Sequence, residues 1–151
     1  MVEVETPADM DAEVGKSLGS SSWFVVTQSM IDKFAEATGD HQWIHVDVDR
    51  AKREMPGGKT IAHGFLTLSL IPRLSQEVVA IRKRSRALNY GSNKVRFTAP
   101  VPVGSRIRLT QALKASEKVD GGRRLVYEAT VEIKGAARPA LVAETITLVF
   151  D

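Results

Sequence analysis

The run Ala62-His63-Gly64-Phe65-Leu66-Thr67-Leu68-Ser69-Leu70-Ile71-Pro72 has to lie at the centre of whatever this chain builds. From Gly64 to Ile71 it is apolar almost all round. A helix of that kind is buried, not laid on a surface. Pro72 has no N–H to offer the carbonyl of Leu68, so the spacing predicts a kink or weak point before Leu74, Val78 and Val79. Beyond this helix the pattern turns β-rich. Leu88 to Phe97 reads as a strand and Pro100-Val101-Pro102-Val103-Gly104 as a stiff turn. Ile107, Leu109 and Leu113 fall on one face of the next strand, with Arg106, Arg108 and Thr110 on the other. Asp120-Gly121-Gly122 reads as a hairpin turn. Tyr127, Ala129, Val131 and Ile133 alternate along the return strand. After a turn at Gly135 to Pro139, Leu141 to Phe150 forms a last strand. One buried helix followed by long antiparallel strands predicts an α+β architecture in which the sheet wraps the helix.

Upstream of the apolar run, Ser22 to Thr27 reads as a short strand, and Thr27 or Ser29 as the cap of a helix carrying Met30, Ile31, Phe34, Ala35 and Thr38. Gly39 ends that helix as a C-terminal glycine does. The loop Asp40-His41-Gln42-Trp43-Ile44-His45 therefore leaves a fixed helix end, which aims its side chains. Asp47 or Asp49 is placed to cap a short helix through Arg53, and Met55 to Lys59 reads as a loop. A carboxylate and an imidazole in one loop can share a single water molecule, a minimal general acid/base pair at neutral pH. Gly64 opens the apolar helix, where unbonded N–H groups can polarise a carbonyl oxygen. Such a set suits reversible addition of water to an activated double bond.

The same residues carry a resemblance. Phe34-Ala35-Glu36-Ala37-Thr38-Gly39-Asp40-His41-Gln42-Trp43-Ile44-His45, with Ala51 six residues on, resembles the hydratase signature of the MaoC-like family. The aromatic, Gly-Asp, aliphatic and His positions are kept. Gln42-Trp43 stands where the family usually has Asn-Pro, and Ala37 where a larger aliphatic residue or Gly is usual. These departures resemble the nodulation-protein-N-like branch. The similarity runs from about Val14 to the C-terminus, through Asn93 to Phe97 and Pro100 to Gly104. It implies a hotdog fold, (R)-specific enoyl-CoA hydratase or 3-hydroxyacyl-thioester dehydratase activity, and a site between two subunits, hence at least a homodimer. It also implies Asp40 and His45 as the catalytic pair and the Gly64 N–H as the thioester-oxygen donor. The thioester supplies the activation, so no metal or redox cofactor is expected, and coenzyme A or an acyl carrier protein enters as part of the substrate.

Each residue has a plainer reading. Asp40 after Gly39 can be a turn residue, and a lone histidine such as His45 is more often structural; at this joint spacing the pair reads as a site. His63 reads as a structural hydrogen-bonding residue, with a second acid/base role as the alternative, and Gly64 alternatively as a packing glycine. His41, Asp47 and Asp49 lie near Asp40 and His45, but no HExxH-like spacing appears and no metal is expected. Ser69 and Ser75 lack the GxSxG surroundings of a nucleophile.

Composition narrows the class. The 151 residues fit one domain, with residues 1–13 as an extended lead-in. Hydrophobic and charged contents of 43% and 26% are ordinary for a globular chain. There is no cysteine, which removes disulfides, thiolate metal sites and cysteine nucleophiles and fits a reducing compartment. The first ten residues are acidic, without the apolar run of a secretory signal, and no stretch is long and apolar enough to span a membrane. A cytoplasmic location is the expectation. The net charge of +3 comes largely from Arg82, Lys83, Arg84 and Arg86. That cluster reads either as a solvated face or as a landing site for coenzyme A phosphates. Aromatics make up 6% and none interleaves with it, which argues against nucleic acid. A hotdog thioesterase and a non-catalytic acyl-thioester-binding module remain the alternatives to the hydro-lyase.

Overall fold

In the computed structural model, which describes residues 1–151, the elements follow in order. They are β1 (Val2–Val4), a 3-10 turn (Pro7–Glu13), β2 (Ser17–Ser20), β3 (Phe24–Val25), α1 (Gln28–Thr38), α2 (Trp43–Val46) and α3 (Val48–Glu54). A second 3-10 turn (Pro56–Gly58) leads to α4 (Gly64–Ser69), α5 (Ile71–Ser75) and β4 (Val79–Ile81). The long strands β5 (Arg86–Phe97), β6 (Arg106–Val119), β7 (Gly122–Ile133) and β8 (Leu141–Phe150) complete the chain. The expected α+β architecture is what forms.

The main sheet is antiparallel in the order β2-β6-β7-β8-β5, with β3 beside β6. Its register sets Leu109 opposite Val131 and Ala129 opposite Ala143. These residues share a core with Leu66, Leu70, Ile71 and Leu74 from the helices. The sheet wraps α4 and α5 because its apolar face, one residue in two, has no other surface to cover. Each fully buried leucine contributes about 1.5–3 kcal/mol relative to exposure, so this contact dominates the fold.

Three expectations need correction. The apolar helix is not enclosed on every side: Leu66 and Thr67 are buried, but Phe65 is 67% exposed and Ser69 is exposed too. The helix breaks at Leu70, just ahead of Pro72 as expected, but it ends at Ser75, short of Val78 and Val79. The break follows from proline's fit to the first turn of a new helix. Val79 belongs to β4, not to the helix. The residues 1–13 are more than a lead-in. β1 pairs in parallel with β4, and the 3-10 turn buries Met10 completely. Met10 joins Leu18, Val78, Ile81, Leu113, Leu125, Tyr127 and Val149 in a second core. Asp11 holds the turn down through Ser116 Oγ (2.6 Å) and two bonds from Arg123 (both 3.1 Å).

No helix is long and apolar enough to cross a membrane. β5 forms one border of the sheet. It bonds only to β8, and Leu88, Tyr90 and Phe97 on it are 46–60% exposed.

Candidate active site

Thr27 caps α1 by accepting the Met30 N–H, and Gly39 closes it in the left-handed region at φ 79°, as the sequence predicts. Asp40 comes next. Its Oδ1 accepts the Gln42 N–H at 3.3 Å, which fixes the carboxylate over the start of α2. The Gln42 side chain makes no capping bond, so α2 starts without a side-chain cap. Trp43 takes the first helical position and lies under the Arg50 guanidinium, 4.0 Å from the ring centroid, with Arg50 paired to Glu54. Asp47 caps α3 through the Arg50 N–H at 3.0 Å.

His45 is buried on α2. Its Nδ1 lies 2.7 Å from the Ile61 carbonyl oxygen. A carbonyl only accepts, so Nδ1 carries the proton, and Nε2 presents a lone pair when the ring is neutral. The Ile61 N–H bonds in turn to Ile44 O at 3.1 Å. Gln28 on α1 bonds the His45 carbonyl through Nε2 (2.8 Å) and accepts from Thr60 Oγ1 (2.5 Å). Three segments thus brace one imidazole.

His63, 3% exposed, donates from Nε2 to the Asp40 carbonyl at 3.0 Å. Its ring stacks on His45 with centroids 3.8 Å apart and packs against Phe34 at 4.8 Å. Its Nδ1 is buried without a partner. Polar side-chain atoms of Asp40, His45 and His63 lie within 4.8 Å of one another. Two oxygen or nitrogen atoms that close can both reach one water at about 2.8 Å. A shared metal fits these rings poorly. Imidazole lone pairs lie in the ring plane, and stacked rings tilted by 24° have no common in-plane point within a ~2 Å metal–nitrogen bond. The other acidic and histidine neighbours add little: His41 and Asp49 are exposed, and Asp47 serves as the cap.

Beside His45 lies a pocket of about 320 Å³, lined also by Ile61, Gly64, Thr67, Phe97 and Ala140. The Gly64 N–H opens α4 and finds no acceptor within the chain. A Cβ on Gly64 would sit 3.0 Å from Phe97 Cδ1, so glycine here keeps both the ring packed and the N–H approachable. Asp40, His45, His63 and Gly64 therefore gather at one place.

The basic cluster does not join them. Arg82 pairs with Glu3 and Glu5, and Lys83 with Glu5. Arg84 lines a second, larger cavity of about 600 Å³ between α5 and the β5–β8 face, and Arg86 lies over Phe150 at 4.4 Å. Phe97 and Arg86 are opposite ends of β5, roughly 35 Å apart at ~3.3 Å per residue.

Sequence reasoning missed Gln28, Thr60, Ile61, Thr67 and Phe97. Gln28 acts through its amide, Thr60 through its hydroxyl and Ile61 through its carbonyl, while Thr67 and Phe97 line the pocket; they come from other elements, and no local motif marks them.

Residues 9–137 match the MaoC like domain. The chain belongs to the MaoC-like family. Over 143 residues this MaoC-like domain is 50% identical to 3-hydroxyacyl-thioester dehydratase Z of Mycobacterium tuberculosis, covering 94% of each chain. It is 48% identical to nodulation protein N of Rhizobium leguminosarum bv. viciae, covering 95% of this chain and 91% of that one. Among solved structures it is similar to an R-hydratase of Pseudomonas aeruginosa in its unliganded form. The TM-score there is 0.73 at 22% identity, over 92% of this chain and 83% of that one. The fold is the hotdog fold.

Proposed function

We propose that this chain is a hydro-lyase that interconverts a trans-2-enoyl thioester and the (R)-3-hydroxyacyl thioester. The observation that carries the reading is the approach of the Asp40 carboxylate and the His45 imidazole within reach of one water, beside the unbonded Gly64 N–H. The half-identical dehydratase of Mycobacterium tuberculosis supports it.

In the hydration direction, Asp40 and His45 hold the water over Cβ. Its oxygen bonds to Cβ as the double-bond electrons move toward the thioester carbonyl. The Gly64 N–H binds the oxygen where that charge collects. The pair removes one proton from the water and one proton is delivered to Cα, so the sum is one water added. His45 Nε2, the nitrogen left free by the Ile61 bond, is the atom through which the ring takes or returns a proton. Each such group is typically worth about a hundred- to thousandfold in rate. The thioester supplies the activation, and the carrier is coenzyme A or an acyl carrier protein.

The working unit in this reading is a homodimer, and its location the cytoplasm, in keeping with a chain that has no cysteine. The unpaired border of β5, twelve residues long with exposed apolar side chains, supports pairing of two β5 strands. Antiparallel pairing about a twofold axis would bring the Arg86 end of one strand beside the Phe97 end of the other. The basic cluster of each subunit would then face the phosphates of a thioester bound at its partner's site. Arg84 and Arg86 are the members available for that, since Arg82 and Lys83 already face Glu3 and Glu5.

The test is loss of the enoyl-thioester absorbance band across acyl lengths, with product analysis. Formation of the 3-hydroxyacyl thioester is the expected result. Release of free thiol from a saturated acyl thioester, with the enoyl band untouched, would replace this reading with a thioesterase. Binding without any turnover would replace it with a non-catalytic module.

A further inference from the structure

Two helical hydroxyls in this chain take the usual outlet, the carbonyl four residues back. Thr38 Oγ1 donates to Phe34 O and Ser69 Oγ to Phe65 O, each at 2.7 Å. Thr67, on the same α4 as Ser69, does not. It is 2% exposed, and its Oγ1 is buried with no hydrogen-bond partner, although the His63 carbonyl stands four residues back. That carbonyl is already taken by the Leu66 and Thr67 N–H groups, at 3.0 and 3.2 Å. A buried hydroxyl left unpaired lowers the stability of the fold.

Thr67 lines the same pocket as His45 and Gly64, among walls formed largely by Ile61, Ala62, Phe97, Ala99 and Val101. Residues three apart on a helix share a face, so Gly64 and Thr67 stand one above the other. Side chains in a helix lean toward its N-terminus, which carries the Thr67 hydroxyl over the turn that begins at Gly64. An oxygen that gains negative charge has room for two donors, and the Gly64 N–H is one.

We infer that the Thr67 hydroxyl is the second donor to the thioester oxygen, completing with Gly64 the cradle for the charge that forms there. The inference rests on the hydro-lyase reading of this pocket. The cost of the unpaired hydroxyl in the empty fold is offset when the thioester oxygen arrives. Thr67 is then a catalytic residue in its own right, touching the reacting group.

Thr67→Val removes the hydroxyl and keeps the shape. Relieved of an unpaired polar group, the variant should melt at or above the wild-type temperature, while its kcat on an enoyl-CoA falls by about tenfold or more with KM little changed. Thr67→Ser should recover most of the kcat lost in the valine variant. A valine variant with kcat within about tenfold of wild type overturns the inference, and so does one that melts lower, since its hydroxyl would then be satisfied inside the fold. Wild-type turnover of the thioester checks the hydro-lyase reading separately. Should the wild type not turn over, the same variant decides by thermal shift. A smaller rise in melting temperature with excess 3-hydroxyacyl-CoA than wild type shows would support the contact, and an equal rise would overturn it.

Discussion

His45 and His63 brace each other's segments. His45 donates to the carbonyl of Ile61, two residues before His63, and His63 donates to the carbonyl of Asp40, five residues before His45, while the two rings stack at 3.8 Å. The segment that bears Asp40 and His45 and the segment that leads to Gly64 are thereby one unit. Moving either one moves both.

Asp40→Asn and His45→Gln should each lower kcat on an enoyl-CoA by at least about a hundredfold. Both variants should remain folded, since neither loses a large apolar group. The double variant should lose little beyond either single one, as residues acting on one water do. Circular dichroism with steady-state kinetics checks this, and near-wild-type turnover by the folded single variants would remove the pair from the mechanism.

His63→Leu keeps a buried apolar body but drops the bond to the Asp40 carbonyl. We expect kcat to fall by roughly tenfold, less than for Asp40→Asn, because the carboxylate is still present and only its placement is looser. A loss as deep as that of Asp40→Asn would instead mark His63 as a proton-transfer group.

Gly64→Ala brings a methyl against the half-exposed Phe97 ring. Pairing it with Phe97→Leu should restore melting temperature by giving the methyl room. It should not restore kcat, because the methyl still crowds the approach to the N–H. Full recovery of activity in the double variant would reduce Gly64 to a packing role.

Neutralising Arg84 and Arg86 together should raise KM for a coenzyme A thioester and leave kcat nearly unchanged, since remote phosphates are held equally in ground and transition states. A pantetheine thioester without those phosphates should be indifferent. Raising salt should raise KM for wild type and much less for the variant, because exposed charge pairs are screened. Equal KM for the two proteins on the full substrate at low salt would detach the cluster from the site.

Met10→Ala should destabilise the chain by about 2–4 kcal/mol in denaturant titration, the range for emptying a closed apolar site. Asp11 is held below the usual carboxylate range by the hydrogen bonds from Arg123 and then Ser116. A carboxyl group lowered in the folded state stabilises above its unfolded value, about 3.9, and loses that contribution as pH falls through the folded value. The melting-temperature gap between wild type and Asp11→Asn should therefore be present at pH 7 and close below about pH 4. A gap independent of pH would show that the ion pair does not hold the turn.

What the sequence made legible was local. The stop of α1 at Gly39, its cap narrowed to Thr27 or Ser29, the cap of α3 narrowed to Asp47 or Asp49, the weak point near Pro72 and the period of two through Ile107 and Leu109 all rest on neighbours a few residues apart. Met10 was hidden because one apolar residue among acidic ones has no period, and its partners lie up to 139 residues away at Val149. The pairing of β1 with β4 was hidden for the same reason. At the site, Asp40 and His45 were visible through their spacing. Phe97 and the Ile61 carbonyl were not, since a ring that fits only against glycine and a main-chain oxygen leave no mark in residue type.

The ribbon of β1 and β4 has a practical side. The Arg82 and Lys83 N–H groups bond to the carbonyls of Val4 and Glu5, and their side chains pair with Glu3 and Glu5. The other end of the chain lies against the same basic segment, because Phe150 pairs with Arg86 and its carbonyl accepts the Ser85 N–H. A polyhistidine or acidic affinity tag at this end would change the local charge by as much as the substitutions meant to probe it. Purification handles for this chain belong ahead of Met1, since Val2 pairs with Val79 at the far end of the ribbon, and any comparison of phosphate-bearing substrates should be run on protein with a cleaved or N-terminal handle.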